Sequence, residues 1–169
     1  MADLKKRWMS LYVENQVGVL SKISGLFSGK MYNLESLTVG TTEDETVSRM
    51  TIGVSADDAT YEQIKKQLNR MVEVIKVIDL ENIPAHMKEI MFAKVSNLTA
   101  DKMTELFQIA QVFGVKPVDI GTKTATIECV QTESKNNELI TLLKAKFSSI
   151  DIVRGGNVAI ESISVTDRY

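Results

Sequence analysis

Between Trp8 and Val13 the chain alternates, with Met9, Leu11 and Val13 on one side and Trp8, Ser10 and Tyr12 on the other. That is the period of a strand with one buried face. Glu14-Asn15-Gln16 and Gly18 interrupt it, and from Val19 the apolar residues Leu20, Ile23, Leu26 and Phe27 fall at the spacing of one helix face, ending near Gly29. Asn33 to Val39 reads as a second strand. Beyond the acidic turn Glu43-Asp44-Glu45, Met50, Ile52 and Val54 mark a third strand that completes a hairpin. Asp57 or Thr60 caps the next helix, Thr60-x-x-Gln63 having the form of a capping box, with Tyr61, Ile64, Leu68 and Met71 as its apolar stripe. Glu73 to Leu80 closes the unit.

The order then repeats. Lys88 to Val95 is strand-like, and Met103, Leu106, Phe107, Ala110 and Phe113 lie at helical spacing before Gly114. Val115 to Ile120 and Lys123 to Val130 read as strands joined across Gly121, Asn136 to Phe147 as a helix, and Ile150 to Val153 as the closing strand. Val158 to Ile163 suggests an extra edge strand. The pattern predicts an α+β chain of two tandem ferredoxin-like βαββαβ units, each a four-stranded antiparallel sheet with two helices on one face. Glu81 to His86, with one of the two prolines at Pro84, reads as a linker, placing the boundary between domains 1–84 and 85–169.

Composition narrows the function classes. The 169 residues are 44% hydrophobic and 25% charged, with 20 basic against 22 acidic side chains and a formal charge of -2. A chain of this size and make-up folds without disulfides, and it is neither disordered nor a basic nucleic-acid binder. Met1 to Arg7 lacks an apolar core beside a cleavage site, no run approaches a membrane span, and the single Cys129 has no internal partner. The expectation is a cytoplasmic protein with no membrane and no nucleic-acid partner.

Catalytic chemistry is sparse. The one histidine, His86, falls in the linker, and Cys129 alternates with apolar neighbours as core packing would. One Cys and one His exclude ordinary zinc spacing. Gly25-Leu26-Phe27-Ser28-Gly29-Lys30 is one residue short of a phosphate loop, and Met31 stands where a magnesium-holding hydroxyl would be needed. Asn97-Leu98-Thr99 has the form of a glycosylation acceptor, but Thr99 is better placed as a helix cap. No catalytic residue, metal site or cofactor is expected in this chain.

The stretch Glu14-Asn15-Gln16-Val17-Gly18-Val19-Leu20-Ser21 has two readings. Free amides at a helix start beside a residue without a side chain suit an anion such as a carboxylate. Equally, a strand-to-helix turn uses Asn and Gly for backbone reasons alone. The run Leu11 to Ser21 is similar to the opening of ACT domains, which bind amino acids that regulate metabolic enzymes. Gly25-Leu26-Phe27-Ser28, Tyr32-Asn33-Leu34-Glu35-Ser36-Leu37-Thr38-Val39 and Ser48-Arg49-Met50-Thr51-Ile52 closely resemble the small regulatory subunits of acetolactate (acetohydroxyacid) synthase. Gln63, Gln67-Leu68, the strand from Val72 to Val77 and Lys88-Glu89-Ile90-Met91 extend the likeness. It is strong over roughly residues 9 to 95; the acidic turn Gly40 to Glu45 matches loosely, and the second half diverges.

The resemblance implies that the first domain is an ACT domain used for effector binding and dimerisation. It implies a non-catalytic chain that joins a thiamine-diphosphate-dependent large subunit, activates it, and confers feedback inhibition by valine or another branched-chain amino acid in the synthesis of valine, leucine and isoleucine. It also implies a homodimer whose effector site takes Asn15 and Gly18 from one protomer, with backbone amides of Val19 and Leu20, and Asn33 from the other. A stand-alone tandem ACT sensor is the alternative. An acylphosphatase-like enzyme of the same element order would need an arginine in its phosphate loop, where this chain has Leu20, Ser21 and Lys22.

Overall fold

The computed structural model describes residues 4–163. In chain order these form β1 (Lys5–Glu14), α1 (Val19–Gly29), β2 (Asn33–Thr41), β3 (Val47–Ala56), α2 (Asp58–Leu68) and β4 (Val74–Asp79). The series repeats as β5 (Ala85–Val95), α3 (Ala100–Phe113), β6 (Lys116–Ile120), β7 (Ala125–Gln131), α4 (Glu133–Lys146) and β8 (Ile150–Glu161). The strand orders are β2-β3-β1-β4 and β6-β7-β5-β8, so the chain has the α+β, twice-βαββαβ architecture that the alternation predicts.

The chain divides into two compact units, one reaching to His86 and including the segment from Asn157, the other Met87–Gly156. The 84/85 division assigns the segment from Asn157 to the second domain; here it packs with the first unit. In the first unit β1 runs antiparallel to β3 with Met9 opposite Ile52 and Leu11 opposite Met50. These side chains meet Ile23 and Phe27 of α1 and Tyr61, Ile64 and Leu68 of α2 in one core. In the second unit Met91, Ala93, Ile127 and Cys129 meet Leu106, Ala110, Leu139 and Leu143 in the equivalent core. Cys129 is fully buried there, and burial pushes its thiol up to about 11, as expected of an inert core cysteine.

Two expectations change on contact with the structure, and one open alternative is decided. The stretch read as a linker is shorter than its composition suggests, because β5 begins at Ala85 and His86 lies on that strand, exposed. The second helix starts at Asp58, with the Asp57 carboxylate accepting from the Thr60 amide at 2.7 Å, so the alternative start at Thr60 is not used. The expected closing strand and separate edge strand are one strand, β8. Gly155-Gly156 looks like a turn but lets the strand continue: a Cβ at Gly155 would lie 2.9 Å from Cγ2 of Ile90, so only glycine permits this approach to β5.

Candidate functional site

The first strand leads straight into the loop Asn15-Gln16-Val17-Gly18, and every residue of that loop is exposed. Asn15 is fixed by the β2–β3 hairpin. Its backbone amide donates to Thr46 O at 2.7 Å, its Nδ2 donates to Glu45 O at 2.8 Å, and the Ser48 hydroxyl donates to its Oδ1 at 3.0 Å. One lone pair and one N–H of the side chain stay free in that arrangement. Lys22, on the first turn of α1, pairs with Glu73 and holds that carboxyl below its ordinary value.

Gly18 is the N-cap of α1, at φ 88° and ψ −12°, with no side chain to accept from the helix and no acidic residue in the first turn. The first helical bond runs from the Lys22 amide to Gly18 O at 3.0 Å. The amides of Leu20 and Ser21 therefore have no acceptor within the helix. The other three helices among the described residues are closed: Asp57, Thr99 and Thr132 accept from Thr60, Lys102 and Lys135, and Asp58, Asp101 and Glu133 occupy their first turns. A left-handed φ favours glycine at position 18, but a Cβ there would meet nothing within 4 Å. The space above the helix start is open and carries the positive end of its dipole.

The expected site residues do not all gather in one copy. Asn15, Gly18, Val19 and Leu20 are contiguous, but the Val19 side chain is buried in the core and its amide donates to Gln16 O at 3.3 Å. Leu20 is partly exposed and keeps its amide free of the helix ladder. Asn33 lies elsewhere: it is exposed at the start of β2 and opposite Ser55, whereas Asn15 contacts Thr46 and Ser48 at the far end of β3. The strand between these points spans roughly 25 Å, so Asn33 of the same copy cannot reach a ligand at Gly18. Ser48 and the carbonyl of Glu45 are contributors that sequence reasoning missed, because only the register of the hairpin brings them to Asn15.

The fold and this open helix start define a tandem α+β protein of two βαββαβ units, the first of which leaves a helix N-terminus uncapped. Residues 9–76 match the AHAS small subunit-like ACT domain, and residues 88–163 match the small subunit of acetolactate synthase, so the divergent second half also carries a family signature. The chain is similar to the acetolactate synthase small subunit of Aquifex aeolicus, 39% identical over 94% of this chain and 82% of that one. It is also similar to that of Haemophilus influenzae, 38% identical over 92% and 94%. The crystal structure of the acetolactate synthase small subunit from Thermotoga maritima superimposes with a TM-score of 0.85 at 34% identity, covering 95% of this chain and 99% of that chain. The chain belongs to the acetolactate synthase small-subunit family, the regulatory and not the catalytic subunit.

Proposed function

We propose that this protein binds a branched-chain amino acid, valine foremost, at the N-terminus of α1 and so sets the activity of a separate large catalytic subunit of acetolactate synthase. The observation that carries the reading is the uncapped, acid-free start of α1 beside an Asn15 already held in place. The amides of Leu20 and Ser21 take the carboxylate, the free lone pair of Asn15 Oδ1 accepts from the ammonium, and the exposed Val17 and Leu20 offer apolar contact to the aliphatic group. Because Asn33 is remote within one copy, it enters the site only from a second copy, which makes the acting form a homodimer. No helix among the described residues is long and apolar enough to cross a membrane.

Mixing the chain with a large catalytic subunit and following acetolactate formation tests this function. The expected result is activation by the chain, reversal by valine, and no acetolactate from the chain alone. Calorimetry with valine tests the site. Light scattering that gave only an 18.8 kDa species, with or without valine, would remove the shared site and the role of Asn33 together.

A further inference from the structure

The helix-free face of the first sheet is polar, as a face built for water should be. Ser10 and Tyr12 lie on it opposite Thr51 and Arg49, and Thr38 lies beside Thr51. Yet Ser10 and Thr51 are only 0% and 3% exposed. The end of β8 lies on Thr51, and Arg49 lies on Ser10. The Ala159 amide donates to Thr51 Oγ1 at 3.3 Å, the Thr38 hydroxyl donates to Asn157 O at 2.6 Å, and Arg49 Nη2 reaches Glu161 Oε2 at 2.7 Å. Beside the strap a half-open groove of about 450 Å³ is lined by Tyr12, Thr38, Arg49, Thr51, Val158 and Ile160, among others. A seam held by polar contacts buries less apolar surface than the core and opens more easily.

Arg49 is the centre of this seam. Its Nε donates to Ser10 Oγ at 2.8 Å, its Nη1 to the Tyr12 hydroxyl at 2.6 Å, and its guanidinium lies 4.9 Å from the centre of the Tyr12 ring. Tyr12 lies on β1, three residues before Asn15 of the loop that follows it. Ser48, next to Arg49 on β3, holds the Asn15 side chain. One guanidinium thus joins the strap, the end of β1 and the strand that fixes the loop. Removing Glu161 leaves Nη2 unpaired in a partly buried position, and the guanidinium then regains a partner by turning to water, away from Tyr12.

We infer that the strap Asn157–Glu161 is a releasable latch, and that Arg49 is the positioning residue through which its docking orders the Asn15–Gly18 loop. The inference deepens, and rests on, the reading of that loop as the effector site. Two discrete arrangements, strap docked with the loop ordered and strap free with the loop loosened, are the two-state element that such coupling requires.

Amide hydrogen exchange on the full chain, read without ligand, tests it. In Glu161→Ala, exchange at Ala159 and at Asn15, whose amide is held by Thr46, should both rise at least roughly threefold, while Lys102 in the second unit stays unchanged. Arg49→Lys keeps a charge for Glu161 but loses the fork that also holds Ser10 and Tyr12. It should leave Ala159 within about twofold of wild type while Asn15 quickens by roughly threefold. A Glu161→Ala strap that opens while Asn15 stays protected would overturn the coupling, and an unchanged Ala159 in that variant would overturn the clamp. A valine titration of wild type is the separate arm. Absence of binding there refutes the effector assignment and leaves the exchange result to judge the latch.

Discussion

The two units make the same turn at the same place and finish it differently. In the first, four residues, Asn15 to Gly18, join β1 to α1; in the second, four residues, Ser96 to Thr99, join β5 to α3. Position for position, exposed Val17 is matched by buried Leu98, and the uncapped Gly18 by Thr99, whose hydroxyl accepts from the Lys102 amide at 3.3 Å. Asp101 then adds a carboxylate to the first turn of α3, and the positive φ moves from the cap to Asn97, at 60°. A helix start that fills its own anion site is stable by itself and repels a ligand carboxylate. On the proposed reading, the first unit is the one whose β1–α1 turn leaves room for an amino-acid carboxylate.

The largest expected effect comes from making the first loop resemble the second. Gly18→Asp sets a carboxylate beside the helix start, from a left-handed backbone unlike the extended Thr99 cap, and the added charge opposes the ligand's. Loss of a charge-assisted bond of about 1.5 to 3 kcal/mol corresponds to at least roughly tenfold weaker valine binding. Calorimetry reads the affinity, and reconstitution should show activation retained and valine inhibition lost. Asp is among the residues that best tolerate a left-handed backbone, so the fold should survive. Asn15→Ala removes one hydrogen bond to the ammonium, of about 1.5 to 3 kcal/mol, without added repulsion, giving at least roughly tenfold weaker binding in the same titration. Equal affinities for wild type and Gly18→Asp would break the comparison at its base.

The reverse change sharpens it. Thr99→Ala opens the start of α3 and should cost about 1 kcal/mol of stability in thermal or denaturant unfolding. Valine binding should not change, because Asp101 and buried Leu98 remain. Acid should separate the units more gently. The carboxyls of Glu35, Asp44, Asp57, Glu73, Asp79 and Glu161 in the first unit are all held below their ordinary values, for example Glu35 by the Ser55 hydroxyl and Asp57 by the Thr60 amide. Among the described residues of the second unit Glu105, paired with Lys102 and Lys146, behaves likewise. A depressed carboxyl contributes stability that is complete above its unfolded pKa and lost as pH falls through the lower folded value. Below about pH 4, protection at Met9 and Ile52 should therefore fail before that at Ala93 and Ile127, as hydrogen exchange would show.

Much of this was legible in the sequence, for physical reasons. Alternation along β1 and β3 and the stripe of α3 are set by one-sided burial, so the order of elements, and Thr99 as a cap, follow from pattern. Gly18 and Asn15 stand out as breaks in that pattern. Ser48 under Asn15, Thr51 under Ala159 and Arg49 against Glu161 do not, because each depends on strand register or on a partner up to 112 residues away. The break expected between Val153 and Val158 is absent for a related reason: the strand continues through Gly155, which lies against Ile90 on a neighbouring strand. Asn33 is the opposite case, a residue whose role makes sense only once the structure places it too far from Gly18 to act within one copy.

The shared site is the central claim, and mixed dimers test it most directly. Gly18→Asp spoils the loop of its own chain, and Asn33→Ala spoils what that chain contributes to its neighbour. Alone, Gly18→Asp should bind valine at least roughly tenfold more weakly, and Asn33→Ala roughly threefold more weakly. In a dimer containing one chain of each kind, one site keeps an intact loop from the Asn33→Ala chain and an intact Asn33 from the Gly18→Asp chain. After subunit exchange of an equal mixture, about half the dimers are mixed and about a quarter of the sites should bind valine with wild-type affinity, by the symmetry of a two-fold pair. Calorimetry that recovers this fraction supports a site built across two copies. A mixture that binds no better than its two components would contradict it.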